Sequence, residues 1–325
     1  MIHFKRLLLI STFLTLCVVV FGAYVRLTDA GLGCPDWPGC FGTLTVPQSE
    51  QAIAQANAVY PDSVVETGKA WREMIHRYLA GTLGLLIAVI SILAIKNRQV
   101  INVSLALPLL LVALVIFQSA LGMWTVTELL KPIIVSLHLI GGMSILGLLT
   151  FITHRHFGTP AIMVRSNLAF IARFAILLLF IQIFLGGWTS TNYAALACTD
   201  FPTCHGSLVP DMDFRNGFSL LRDLGLTSEG HSLSIQALHA IQWTHRVGAV
   251  ILVTYLLFFT YMISKHGGLR FYRNLLILVL AFQFIIGVAN LLLYLPIALA
   301  TMHNLGAALL VIILVIINSR LRKYE

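Results

Sequence analysis

Eight long apolar runs constrain this chain more than any other feature of its sequence. A helix needs about 20 predominantly apolar residues to cross the hydrocarbon core of a bilayer. The segment from Asn274 to Ser319 is too long for one span, and Tyr294-Leu295-Pro296 divides it because proline cannot continue a helix. The sequence therefore predicts an all-α integral membrane protein with eight transmembrane helices, near residues 7–25, 71–95, 100–124, 132–153, 173–190, 236–263, 274–294 and 296–318.

The charged residues predict how these helices are oriented. Only 10% of the chain is charged, against about a quarter in soluble domains, which excludes an ordinary soluble protein. The net charge of +8 does not indicate a nucleic-acid partner, because basic residues cluster on one side of the spans in the positive-inside pattern. We expect an inner (plasma) membrane protein with both termini cytoplasmic and a retained first span. The basic residues on the inner side are Lys5, Arg6, Lys96, Arg98, Arg155, Arg165, Arg173, Lys265, Arg270, Arg273, Arg320, Arg322 and Lys323.

The two halves of the chain, residues 1–160 and 161–325, resemble each other. Two long polar segments, about 26–70 and 191–235, form the predicted outer loops, and each precedes a span with a His-Arg pair. A parallel duplication of four spans predicts two four-helix bundles related by a pseudo-twofold axis along the membrane normal. The matched features are Cys34/Cys198, Cys40/Cys204, His76/His245, Gln118/Gln283, Gly122/Gly287 and His138/His303.

Four histidines at matched positions are the main candidate site residues. His76, His138, His245 and His303 each lie one to two turns below the predicted outer surface, two in each bundle. Two neutral imidazoles facing each other across a four-helix core suit the axial positions of a haem iron. Zinc or copper is disfavoured because no carboxylate or thiol joins these pairs at tetrahedral spacing. A packing role is the alternative for any one of them.

Small residues follow each histidine at i+3 or i+4, on the same helix face. They either leave room for a flat macrocycle or simply permit close helix packing. Of the remaining histidines, His205 and His239 are interpreted as structural. The small residues are Ala80, Gly141, Gly142, Gly248, Ala249, Gly306 and Ala307.

Two cysteine pairs lie in the predicted outer loops. Cys34/Cys40 and Cys198/Cys204 are expected to form disulfides in that oxidising compartment. They either stiffen the loops or include a pair that cycles as a dithiol. Cys17, in the middle of a span, is interpreted as a packing residue.

The duplication breaks at Glu73, three residues before His76, because the matching residue before His245 is Gln242. A carboxylate at the edge of a bilayer is costly and usually functional. We therefore expect chemistry in the N-terminal half and stable cofactor binding in the C-terminal half. An ion pair from Glu73 to Arg72 or Arg77 is the structural alternative. Three arginines at the outer ends are candidates either for haem propionates or for interface anchors, namely Arg26, Arg77 and Arg246.

The first outer loop and the second span resemble those of haem A synthases. The resemblance rests on Tyr24-Val25-Arg26-Leu27-Thr28, on Gly31-Leu32-Gly33-Cys34-Pro35-Asp36-Trp37-Pro38-Gly39-Cys40, and on Glu73-Met74-Ile75-His76-Arg77. It implies oxidation of a ring methyl of haem O, through the alcohol (haem I), to the formyl group of haem A for cytochrome oxidase assembly. It also implies that His245 and His303 ligate haem b, and that His76 and His138 flank the substrate while Glu73 takes part in catalysis.

Three other functions stay open on the sequence. A dihaem electron-transfer protein, such as a quinol-oxidising cytochrome b, would carry two permanent haems and would not need Glu73. A membrane thiol-disulfide oxidoreductase would use the cysteines, and a haem carrier would use the histidines without catalysis. The redox partner (a quinol or a redox protein), contact with a haem O synthase and homo-oligomer formation are also left open.

Overall fold

The computed structural model describes residues 2–98, 104–157 and 160–323, which form ten α-helices and one pair of short strands. The helices are α1 (Ile2–Leu27), α2 (Glu50–Val59), α3 (Thr67–Lys96), α4 (Ala106–Thr127), α5 (Pro132–His156), α6 (Ser166–Thr191), α7 (Phe214–Gly217), α8 (Ile235–Met262), α9 (Arg270–Leu292) and α10 (Ile297–Arg320). The strands are β1 (Ile162–Val164) and β2 (Leu321–Lys323).

Eight of these helices are long and apolar enough to span a membrane, so the predicted all-α integral membrane fold is confirmed. Several ends differ from the prediction. The first and fifth spanning helices, α1 and α6, begin at Ile2 and Ser166 rather than near 7 and 173. Hydropathy marks the hydrocarbon core, whereas helices continue into the interface. The predicted start of the third span at 100 falls outside the described residues, and α4 begins at Ala106.

The spanning helices form two four-helix bundles. In the first, α1, α3, α4 and α5 contact one another around a closed ring, and α6, α8, α9 and α10 do the same in the second. The predicted break near Pro296 is confirmed, with α9 ending at Leu292. Leu129 and Leu130 make the same left-handed turn between α4 and α5 that Tyr294 and Leu295 make between α9 and α10.

The bundles pack against each other through α1, α5, α6 and α10. These helices are two equivalent pairs under the duplication, which is the arrangement expected around a pseudo-twofold axis. Gly147 of α5 lies at this interface, where a Cβ would be 3.5 Å from Val311 Cγ1 of α10. The parallel pairing of Ile162 with Leu321 joins the linker between the halves to the end of α10.

Two matching loops cover the same end of the bundles. We call residues 34–43 the first disulfide loop and residues 198–207 the second disulfide loop. The predicted Cys34–Cys40 and Cys198–Cys204 disulfides are both present. An aspartate anchors each loop, since Asp36 and Asp200 accept hydrogen bonds from the two backbone N–H groups that follow the second cysteine, at 2.6 and 2.9 Å in each loop.

Candidate functional site

The four predicted histidines lie near the loop end of the bundles, in two pairs. His76 of α3 and His138 of α5 are close enough to interact electrostatically within the first bundle. His245 of α8 and His303 of α10 do the same within the second. The structure therefore brings together the partners that the repeat pattern predicted, one pair in each bundle.

A glycine of a neighbouring helix contacts each imidazole. A Cβ built on Gly22 would lie 2.8 Å from His76 Cε1, and one on Gly122 would lie 3.2 Å from His138 Cε1. In the second bundle the matching distances are 3.1 Å from Gly186 to His245 Cε1 and 3.0 Å from Gly287 to His303 Cε1. The contact at Gly22 is too short for any Cβ, and at the other three positions a Cβ would push the ring back by a few tenths of an ångström. Glycine therefore lets all four rings occupy these places.

Glutamines occupy part of the space beside the histidines. The Gln118 amide donates to the His138 backbone carbonyl at 2.7 Å, and its Oε1 lies where a Cβ on Gly141 would be. Gln283 contacts Gly306 in the same way. These two glycines therefore accommodate glutamines, which favours the packing explanation over a surface for the macrocycle.

A third glutamine, Gln182 of α6, lies beside a histidine and was not predicted from the sequence. Its amide nitrogen lies 2.9 Å from His245 Nδ1 and 2.9 Å from the His245 carbonyl oxygen. Its Oε1 packs where a Cβ on Gly248 would lie. The signal was available, because Gln182 and Gly186 repeat the Gln-x-x-x-Gly spacing already seen in the other two pairs.

The fourth position of this pattern breaks the symmetry. Four residues before Gly22 stands Val18, so α1 offers His76 no glutamine at the position that matches Gln182. His76 Nδ1 is buried without a hydrogen-bond partner among the described residues, whereas His245 Nδ1 contacts Gln182. The two bundles therefore differ in how firmly the histidine after each disulfide loop is held.

The second break in the symmetry, at Glu73 and Gln242, lies at the base of the disulfide loops. Glu73 is 5% exposed, and its carboxylate accepts a hydrogen bond from the Cys34 backbone N–H at 2.9 Å and an ion pair from Arg77. Gln242 accepts from the Cys198 N–H at 2.5 Å. The ion pair with Arg77 that the structural alternative for Glu73 requires is therefore present.

The three arginines considered for propionates all contact protein groups. Arg77 donates to the carbonyls of the first disulfide loop, including that of Asp36 at 2.9 Å, and Arg246 donates to Thr203 at 2.8 Å. Arg26 joins the two bundles, donating to the Ser190 carbonyl at 3.0 Å and stacking on the Tyr193 ring. These contacts give all three guanidinium groups a structural role within the protein, holding the disulfide loops and joining the bundles.

The second bundle is suited to a haem. Its two imidazoles face a common core, and the Nδ1 atom of His303 and the Oε1 atoms of Gln182 and Gln283 are buried without hydrogen-bond partners in the described part of the chain. Buried polar atoms are rarely left unpaired. Neutral imidazoles backed by glycines are a donor set that fits a haem iron with its flat macrocycle.

Comparison with known proteins agrees with this arrangement. A sequence model of the COX15-CtaA family, described as cytochrome oxidase assembly proteins, matches residues 5–315. Heme A synthase of Shewanella oneidensis is 43% identical over 317 residues, covering 96% of this chain and 94% of that protein. Heme A synthase of Caulobacter vibrioides is 27% identical over 97% of this chain and 95% of its own. The chain therefore belongs to the COX15-CtaA family of cytochrome oxidase assembly proteins.

Proposed function

We propose that this protein is a haem A synthase, an oxidoreductase that converts a ring methyl of haem O, through the alcohol, into the formyl group of haem A. The observation that supports it most is the presence of two half-buried histidine pairs, one in each bundle, at equivalent positions. The family and the name shared by its relatives agree with this activity.

In this proposal one bundle holds a resident haem and the other binds the substrate haem. Residues 161–325 hold a resident haem b between His245 and His303, with Gln182 orienting the first imidazole. Haem b supplies one-electron transfer at that place when it is bound. Residues 1–160 receive the substrate haem between His76 and His138. The absence of a glutamine beside His76 suits a histidine that must bind and release its partner at each turnover.

Glu73 is the third proposed catalytic residue. It lies on the same face of α3 as His76, one turn toward the disulfide loop, and is the only one of the matched pair with a carboxylate. Its bonds to Cys34 and Arg77 fix its position in a site of low dielectric constant. A carboxylate held in this way can accept a proton from a water, or orient that water, while the carbon is oxidised.

The proposal also includes the membrane in which the protein lies and the partners it needs. We place the protein in the inner (plasma) membrane with both termini cytoplasmic, on the distribution of basic residues around the spans. Electrons are exchanged with a quinol or a redox protein. A haem O synthase is the class of enzyme that must supply the substrate. We also propose that the protein assembles as a homo-oligomer.

Pigment analysis tests this function. The protein is co-expressed with a haem O source, and the haems extracted from membranes are identified by mass. Formation of haem I and haem A that depends on His76 and His138 supports the proposal. Accumulation of unmodified haem alone, with two haems retained in each chain, would instead favour a dihaem electron-transfer protein.

A further inference from the structure

The second disulfide loop contains histidines that the first lacks. His205 directly follows Cys204, where the first loop has Phe41. His239 of α8 takes the place that Ala70 has in α3. Ala70 and Phe41 are both buried against the first disulfide, so neither imidazole is needed for a loop of this shape.

Three of these side chains form a compact donor set. One ring nitrogen of His239 and the sulfurs of Cys198 and Cys204 all lie within 4.8 Å of one another. All three residues are buried, with exposed fractions of 8%, 0% and 2% respectively. The His239 ring uses Nδ1 for a contact of 3.3 Å with the Asp211 carbonyl, and its Nε2 is buried with no partner among the described residues.

His205 lies beside this cluster, at its exposed side, and is the candidate for a fourth donor once its ring turns toward the sulfurs. Its ring centroid lies 5.0 Å from that of His239, and its Nε2 is 3.0 Å from the Ala197 carbonyl, which leaves Nδ1 for a ligand. Two sulfurs and two imidazoles are the donor set of tetrahedral sites for zinc and similar d¹⁰ ions. We propose that Cys198, Cys204, His239 and His205 bind such an ion, with zinc as the test case, when the second disulfide is reduced.

The reduction step needs a dithiol. A thiolate of that dithiol attacks one sulfur of the Cys198–Cys204 bond, its second thiol releases the mixed disulfide, and the reductant leaves as a disulfide. Metal binding then displaces the two thiol protons. The sulfurs must separate to about 3.8 Å to take two corners of a tetrahedron with bonds of about 2.3 Å.

The loop backbone is held by bonds that do not depend on the disulfide. Gln242 binds the Cys198 N–H at 2.5 Å and Arg246 binds its carbonyl at 2.9 Å. Cys204 and Ser207 exchange backbone hydrogen bonds of 2.7 and 3.1 Å. Both cysteines therefore stay beside His239 after reduction. The Arg246 guanidinium also compensates part of the negative charge of two thiolates.

The experiment uses the full-length, haem-loaded protein in detergent, with Cys34→Ser/Cys40→Ser as the parent so that only the second loop can respond. The parent is reduced with a phosphine, equilibrated with Zn²⁺ alone and separated from free metal. We expect about one zinc ion per chain after reduction and none before it. Adding His239→Ala should weaken zinc binding by at least about 100-fold. Alanine fits there, because Ala70 occupies the matching place.

A second measurement distinguishes loss of the zinc site from unfolding of the protein. Bound zinc should protect Cys198 and Cys204 from alkylation in the fraction that keeps its haem spectrum and helical circular dichroism. Equal zinc binding with and without His239 would overturn the proposal, as would absence of zinc from the reduced parent. Collapse of the bundle on reduction would also refute it, because the site requires a loop that stays in place.

Discussion

Glu73 of α3 accepts a hydrogen bond from the backbone N–H of Cys34 at 2.9 Å, so the carboxylate next to His76 also anchors the first disulfide loop. Gln242 makes the equivalent bond to Cys198 at 2.5 Å with a neutral amide. An amide is therefore sufficient for anchoring a loop, and the charge of Glu73 needs another explanation.

Replacement of Glu73 by glutamine should preserve the fold and remove activity. The amide keeps the bond to Cys34, and Arg77 keeps its backbone carbonyls, as Arg246 does beside Gln242. Loss of a positioned acid–base group typically lowers a rate by about 100- to 10,000-fold. Haem A formed per folded, haem-loaded molecule is the quantity to measure.

The structural explanation of Glu73 makes the opposite forecast. If the Arg77 ion pair matters only for stability, Glu73→Gln would lower yield or thermal stability while the surviving molecules turned over normally. Glu73→Ala, which also removes the bond to Cys34, is the control expected to loosen the loop.

Two substitutions, Gln182→Val and Val18→Gln, should change how firmly each histidine site holds its haem. Gln182→Val removes the side-chain amide that contacts His245 Nδ1, so we expect weaker retention of the resident haem, by about 10- to 100-fold. Val18→Gln should place an amide beside His76 and slow release of the substrate haem. Haem stoichiometry after gel filtration measures both. Unchanged retention in Gln182→Val would show that the contact has no role in ligation.

Gly22→Ala should impair the first bundle selectively. The added methyl would lie 2.8 Å from His76 Cε1 and must displace the imidazole. A misplacement of about 1 Å can cost about 100-fold in rate, so we expect turnover to fall by up to that factor. Gly81→Ala is the matched control, since a Cβ there has no neighbour within 4 Å. Turnover and resident haem content are measured for both. Equal losses in the two variants would refute the steric argument.

The second disulfide loop should lose stability in acid. Hydrogen bonds from the Thr203 hydroxyl and the Gly206 N–H hold the pKa of Asp200 well below its ordinary value. A lowered folded-state pKa stabilises the protein above the unfolded pKa, near 3.9, and the benefit disappears as pH falls through the folded value. Asp200→Asn should therefore lower the melting temperature most at neutral pH, with a difference that shrinks below about pH 4. The exposed Asp62→Asn is the control.

Topology is tested by reporters. A cytoplasmic reporter fused after Glu325 should be active, and one inserted near Val46 should behave as external. Both positions reversed would overturn the proposed sidedness, and two reporters on the same side would contradict the span count.

The sequence by itself determined the eight spans, the duplication and the four histidines. The spans follow from hydropathy, which is a local property of the sequence. The duplication and the histidines follow from residue types that recur at a fixed spacing. Helix ends were less accurate, as at Ser166, because a helix can extend into the interface without an apolar signal. The disulfides were also predictable, since each pair is close along the chain and lies in a predicted outer loop.

Only the tertiary structure decided what contacts these residues. Gln182 reaches His245 from another helix, and Gly22 makes room for His76 across 54 positions of sequence (76 − 22). The Gln-x-x-x-Gly spacing marks Gln182 in the sequence, but it does not show which histidine that side chain contacts. The same holds for His239, which a reading of α8 alone assigns to packing and which the fold places beside Cys198 and Cys204. Helix packing brings these groups together, because the burial of apolar faces fixes which residues meet across the core.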